Sequence, residues 1–421
     1  MKVLWLCNMP LPEAAEAMGI PNGTGGGWLS AEFDQLRRED NMELAACFPL
    51  RHRKKIQKVT VNGSAHYAVP RKVHSFFRYD ASMEPFFHQI VEEVRPDIIH
   101  IHGTENTPAW ALMKACPEQT YVVSLQGIIS MIAVHNHGAL PYKWQRSRTL
   151  MDYISKCSPL ARAKMYRLGG QYEQKVIARA DYLMGRTDWD RLCAEELGAK
   201  GSYVYAPRIL REPFYHTAWS PENCTPHRIF SSAASTSIKG AHFLLEAVAQ
   251  LKGKYPDFTV CFAGHAPCSG SLKRRLRCTG YEKYIRYLIN KLDLKENVRF
   301  LGSLSAEKMA DEMTKAHVYV HPSAIDNSPN ALAEAMMVGT PCVASYVGGI
   351  PSMMENETEG LLYQYDAPYW LAHQISRIFD DKELAKRLSA NARCRAAADH
   401  DKKNAQITKE LYEIIMQKKT V

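Results

Sequence analysis

Ser323-Ala324-Ile325-Asp326-Asn327-Ser328-Pro329-Asn330-Ala331-Leu332-Ala333-Glu334-Ala335-Met336 places a polar loop, a helix start and two carboxylates in one short stretch. An apolar strand ends just before it at His321-Pro322, and the helix begins near Asn330, so its first amides have no intrahelical acceptor. Such a helix start can seat a diphosphate. Asp326 sits in the loop, where it can reach a sugar. Glu334 lies about a turn inside the helix, where it can accept hydrogen bonds from two vicinal ribose hydroxyls. Asn330 could be an ordinary helix cap, but a cap does not account for an acid among alanines and methionines.

The strand, loop and helix belong to a series. Short apolar runs recur, each followed by a turn-rich stretch and then by helical spacing, which is the pattern of parallel strands with crossover helices and predicts an α/β class. In the first half the strands are expected at Lys2 to Cys7, Glu43 to Phe48, Asp97 to Ile101, Tyr121 to Leu125, Tyr182 to Gly185 and Tyr203 to Tyr205. In the second half they are expected at Arg228 to Ser232, Phe258 to Ala263, Val298 to Leu301, His317 to His321, Cys342 to Ser345 and Gly360 to Tyr363. Met83 to Val94 carries an apolar helical stripe of Phe86, Phe87, Ile90, Val91 and Val94.

Between Ala206 and Pro226 stand four prolines without sustained periodicity, so a boundary is expected near 208 to 225. Domains of 1–208 and 209–399 follow. The tail, Asp401 to Lys418, presents Ile407, Leu411, Ile414 and Ile415 on one helical face, so 400–421 is expected to complete the first domain. Two doubly wound parallel sheets in tandem are expected to face across a cleft, with ligands at the strand carboxyl ends.

Composition narrows the functional classes. The chain has 421 residues, 46% hydrophobic and 23% charged, which excludes disorder, collagen and coiled coil for the whole chain. The longest nearly apolar run, Val122 to Val134, is interrupted by Gln126 and is shorter than the ~20 residues of a membrane span. After Lys2 only Val3 to Cys7 is continuously apolar, so a first strand is expected there rather than a secretory signal. Eleven cysteines without zinc-site spacing fit a reduced cytoplasm. The net charge is +9. Basic clusters at Arg51, Arg53, Lys54, Lys55 and Lys58 and at Lys273, Arg274, Arg275 and Arg277 read as solvated loops or as peripheral contacts with an anionic membrane, here the inner membrane face. Aromatics interleaved for base stacking are absent from the first cluster, which argues against nucleic acid.

Three other segments bear on chemistry. Asn22-Gly23-Thr24-Gly25-Gly26-Gly27 follows the first strand and lets a backbone approach phosphate or sugar oxygens, but it lacks the Gly-x-Gly-x-x-Gly dinucleotide spacing. The second strand runs into Pro49-Leu50-Arg51 rather than an acid for an adenosine ribose, so a nicotinamide enzyme is disfavoured. Lys239-Gly240 opens a helix at the end that repels a cation, which points to a shared anion. In Arg186-Thr187-Asp188-Trp189-Asp190 the two acids have the spacing of a Mg²⁺ site, although a Thr187 helix cap explains them more simply.

Taken in order, Lys239-Gly240, Ala263-Gly264-His265, Asp326 with seven residues then Glu334, Gly339-Thr340-Pro341 and Gly348-Gly349 resemble a glycosyltransferase of family 4 with the two-domain, Rossmann-like GT-B fold. In the front half Gly25 to Gly27, Pro96 to Gly103 and Val122 to Gly127 stand where the matching family segments do. The resemblance implies retaining transfer from a nucleotide diphosphate sugar, UDP- or GDP-linked, to a glycan or lipid-linked glycan, with no cofactor and commonly no metal. It implies that Lys239 neutralises the diphosphate, Glu334 holds the ribose and Asp326 contacts the donor sugar near the reacting carbon. Gly264, His265, Ser328 and the amides near Asn330, Ala331 and Leu332 fall among the donor-binding positions, and Gly26 and Gly27 would line the cleft from the other domain. His102, Gln126 and Arg211 fall on the acceptor side or in the cleft.

Three departures from the family pattern stand out. Asp326 is one methylene shorter than the usual Glu. Ala234 stands where an Arg commonly precedes the lysine, which leaves Arg211 or Arg208 as substitutes. Gln126 replaces a common His and cannot take a proton at neutral pH. These departures keep two other readings open: a GT-B-fold sugar-nucleotide epimerase, and a non-catalytic nucleotide-sugar-binding module.

Overall fold

Alternating apolar strands and helices build two sheets. The computed structural model describes residues 1–20, 27–72, 76–232 and 234–420. The chain divides into two compact units, one of Met1–Met131, Met165–Ile209 and His400–Val421, the other of Ile132–Lys164 and Leu210–Asp399.

The first unit holds β1 (Lys2–Leu6), β2 (Glu43–Arg51), β3 (Gln57–Val61), β4 (Ser64–Arg71), β5 (Ile98–His102), β6 (Tyr121–Ser124), β7 (Tyr182–Gly185) and β8 (Ser202–Tyr205). Their order in the sheet is β3-β4-β2-β1-β5-β6-β7-β8. Every pairing is parallel except β3 with β4. That hairpin is not anticipated above, and it narrows the basic loop to 52–56, with Arg53, Lys54 and Lys55 exposed in it. Arg51 ends β2 and Lys58 lies in β3, its ammonium 2.7 Å from Glu93. Asn62 and Gly63, at φ 50 and 84, supply the two left-handed positions of the tight turn.

Helix Ala405–Thr420 joins this unit. Leu411, Tyr412 and Ile415 are buried, and the Tyr412 hydroxyl accepts from Trp5 Nε1 at 3.0 Å. The buried stripe therefore includes Tyr412, while Ile414, expected inside, is exposed.

The second unit holds β9 (Arg228–Ser231), β10 (Thr259–Phe262), β11 (Val298–Phe300), β12 (Val318–His321), β13 (Cys342–Ser345) and β14 (Leu361–Tyr363), in the order β11-β10-β9-β12-β13-β14. All its pairings are parallel. Segment Ile132–Lys164, which the sequence reading leaves within 1–208, packs here instead. Ser237 Oγ donates to the Asn136 carbonyl at 2.8 Å, His242 Nε2 lies 2.8 Å from the Gly138 carbonyl, and Gly280 N donates to Asp152 at 3.1 Å. At Gly138 a side chain would meet the Ser237 carbonyl at 2.5 Å, so glycine permits this approach.

Cys268 and Cys278 are joined as a disulfide, their Cα atoms 4.9 Å apart, where a fully reduced set is expected above. The turn before helix Gly280–Lys291 brings them together. Among the described residues no helix is long and apolar enough to cross a membrane.

Candidate active site

The second unit's loops converge where β9, β12 and β13 end. β12 finishes at His321, and the chain turns so that Asp326 Oδ2 receives Lys239 Nζ at 2.6 Å, Ser323 Oγ at 3.2 Å and His321 Nε2 at 3.1 Å. Ser323 Oγ also lies 3.0 Å from His321 Nε2. Burial alone would raise the Asp326 carboxyl, but the Lys239 charge and the His321 contact outweigh it and hold the group well below the usual carboxylate range. Burial pushes His321 down, against the pull of Asp326.

Backbone contacts hold this cluster in place. Ala324 N donates to the Ile238 carbonyl at 2.7 Å, and Gly349 N to the Asp326 carbonyl at 3.0 Å. A Cβ on Gly240 would stand 1.7 Å from the Pro322 carbonyl oxygen, and one on Gly348 2.0 Å from that of Asp326. Both glycines also have positive φ, so the motif glycines are required by close approach of loop to loop.

Helix Asn330–Val338 begins after Pro329, whose extended backbone serves as the cap without a side-chain hydrogen bond. Asn330 is thus the first helical residue rather than the cap. The Leu332 amide, assigned above to a phosphate, already donates to the Pro329 carbonyl at 3.0 Å. Asn330 and Ala331 lie in the first turn, where no intrahelical carbonyl can accept their amides.

Glu334 follows one turn later, its side chain 4% exposed. Arg211 grips both its oxygens, Nε to Oε1 at 2.7 Å and Nη2 to Oε2 at 2.8 Å, with its guanidinium over the Phe214 ring. Burial lifts the Glu334 carboxyl above its usual range, opposed by Arg211. Arg211 therefore partners Glu334, while Lys239 is partnered by Asp326, so Arg211 does not stand in for the arginine that Ala234 replaces.

The remaining donor-side positions are more open. Ser328 is half-buried in the loop, and Gly264, at φ 112, bridges to Gly302. His265 is exposed, near Ser303 Oγ.

In the first unit, His102 is 1% exposed inside the sheet, stacked on His100 and packed against Trp5, which is a core position. Gln126 lies in the loop after β6. Arg186 Nη2 donates to the Leu125 carbonyl at 2.7 Å, and Glu105 accepts from Gly127 N at 2.8 Å. Glu173 accepts from Ile129 N at 3.0 Å and Ser130 N at 2.8 Å. Burial pushes the Glu173 carboxyl up to about 7. Arg208 is half-buried in this unit, lining a small cavity with Glu32 and Arg186. Gly26 lies outside the described residues, and Gly27 opens helix Gly27–Leu36.

Asp188 and Asp190 differ in surroundings. The Thr187 hydroxyl accepts from Asp190 N, Asp190 is buried and accepts from Tyr203, and Asp188 is exposed beside Arg191. Among the described residues no group of three His, Cys, Asp or Glu side chains could hold a metal ion.

His321 and Ser323 were not singled out from the sequence as site residues. Both stand in or beside the stretch quoted first, and a histidine closing a strand two residues before a serine was the available signal.

Residues 220–395, which include every member of this cluster except Arg211, match the family model described as Glycosyl transferases group 1. The chain has the α/β GT-B fold. Sucrose-phosphate synthase from Thermosynechococcus elongatus superposes with a TM-score of 0.72 at 16% identity, covering 99% of each chain. Anabaena Alr3699/HepE in complex with UDP-glucose superposes with a TM-score of 0.64 at 17% identity, covering 98% of this chain and 100% of that one. Among curated proteins, WcaL of Escherichia coli, ascribed a glycosyltransferase role in colanic acid biosynthesis, is 27% identical over 254 residues. That alignment spans 58% of each chain, a little over half of the relative's length.

Proposed function

We infer that the protein is a retaining glycosyltransferase, acting in the cytoplasm without a bound metal. It moves a sugar from a nucleotide diphosphate sugar to a glycan or lipid-linked glycan. The observation that carries this reading is the coincidence of two cation–carboxylate pairs, Lys239 with Asp326 and Arg211 with Glu334, at one set of strand ends beside the Asn330 helix start. The family match over 220–395 and the UDP-glucose complex of a structural neighbour support it.

In this reading the Asn330 and Ala331 amides and Lys239 receive the diphosphate, Glu334 the ribose, and Asp326 the donor sugar. The bond from the anomeric carbon to the phosphate oxygen breaks as the acceptor hydroxyl bonds to that carbon on the same face. The acceptor proton passes to the departing phosphate oxygen. The protein's share is charge stabilisation and alignment. Lys239 exchanges part of its contact with Asp326 for phosphate, and His321 and Ser323 remain as donors to Asp326.

The test is the melting temperature with UDP, GDP, ADP and NAD, each with Mg²⁺ and with chelator, since a ligand of the folded state raises it. A rise from one nucleoside diphosphate that survives chelation and is lost in Glu334→Ala is expected. Unchanged nucleotide binding in that variant would overturn the site. Isomerised donor in the absence of acceptor would turn the reading to an epimerase.

A further inference from the structure

We propose that one face of the second unit, formed by 142–156 and 272–277, docks onto an anionic lipid bilayer. The starting observation is a helix with its polarity reversed. In helix Leu150–Ser155 the acid points inward: Asp152 is 1% exposed and accepts from the backbone of Arg148, Thr149 and Gly280. Leu150, Tyr153 and Ile154 point outward, 72%, 69% and 71% exposed. The Asp152 contact ties this helix to the start of helix Gly280–Lys291, where a Cβ on Gly280 would lie 3.3 Å from that of Arg148. Just upstream, helix Leu272–Leu276 also turns apolar side chains outward, with Leu272 and Leu276, four residues apart on one side, exposed at 73% and 71%.

Isolated exposed leucines need no explanation, but outward apolar side chains on two short helices, one tied to Gly280 and the other ending four residues before it, mark a surface meant to be covered. Charge complementarity identifies the cover. Residues 139–164 carry Lys143, Arg146, Arg148, Lys156, Arg162 and Lys164 against the single acid Asp152, which is buried, and residues 265–281 carry no acid. Arg148, Lys156, Arg275 and Arg277 are exposed in the same two segments as the apolar side chains. Apolar residues that sink to the acyl boundary, tyrosines at headgroup depth and a cationic rim are what an anionic bilayer surface binds. The basic stretch of the first unit lacks this design, since among the described residues no large apolar side chain between 10 and 133 is exposed.

The test is sedimentation of the full chain with vesicles of phosphatidylcholine alone or with about 30% phosphatidylglycerol, at low and high salt. Sedimentation with the anionic vesicles only, weakened by salt, is expected. It should fall at least about tenfold in Leu272→Ser/Leu276→Ser and in Tyr153→Ser/Ile154→Ser. Both double variants keep the wild-type melting temperature and its shift by UDP. Equal binding to neutral vesicles, or undiminished binding by both variants, would overturn the proposal. So would a wild-type dimer that the variants convert to monomer, because the cover would then be a second copy. Vesicle binding requires no turnover, so its failure and that of the transferase reading are separately visible.

Discussion

The loop that carries Asp326 and the helix turn that carries Glu334 each pair a carboxylate with one cation, yet the two acids are displaced in opposite directions. Asp326 collects three donors, and its partners hold it ionised against burial. Glu334 has one cation, and burial dominates, lifting it. One acid is a permanent charge fixed in its loop, and the other is held ionised less strongly, by a half-exposed Arg211. In the reaction proposed above, a fixed charge suits the reacting centre and a tunable acceptor the ribose diol.

The sharpest way to break this contrast is Asp326→Ala. It leaves Lys239 and His321 without their carboxylate, and is expected to cost about 3 kcal/mol in chemical denaturation and at least about 100-fold in turnover. An unchanged denaturation midpoint would show that the pair contributes nothing.

Gly348→Ala should cost about 2 kcal/mol by forcing a side chain against the Asp326 carbonyl at a left-handed backbone position. It disturbs the Asp326 loop alone, so turnover should fall while calorimetric UDP affinity survives. Glu334→Gln keeps the shape and removes the charge. Stability should stay within about 1 kcal/mol, and nucleotide affinity should drop about tenfold.

The smallest effect is on pH dependence. A lowered Asp326 gives stability that is present above its unfolded value, near 3.9, and is lost as pH falls. A raised Glu334 gives stability that is present below its unfolded value and is lost as pH rises through the folded one. The stability of Glu334→Gln relative to wild type should therefore grow from about pH 4 towards neutrality. A flat difference would mean that Arg211 cancels the burial of Glu334.

All six strands of the second unit were legible: five are largely buried and read as apolar runs, while edge strand β11 keeps Val298 and Phe300 on either side of exposed Arg299. The hairpin of β3 and β4 carried its own signal, Asn62-Gly63 between alternating residues, but the dense lysines and arginines before it read as loop. Asp326, Glu334 and Lys239 could be named from their places in a loop and at helix starts, together with the family resemblance. Their pairing could not, since Lys239 lies 87 residues from Asp326, and Arg211 lies 123 from Glu334. The assignment of 132–164 failed for a similar reason: its ties to Ser237, His242 and Gly280 are hydrogen bonds to single backbone groups, which leave no periodic trace.

The Tyr412 anchor has a temporal consequence. Trp5 waits for a partner 407 residues downstream. At roughly 5–20 residues per second, a ribosome needs on the order of 20 to 80 s to supply it. Through that interval Trp5 and Phe33 lack part of their cover, so the unit begun first is finished last. The nascent chain carries an open apolar seam that chaperones can recognise until Tyr412 arrives.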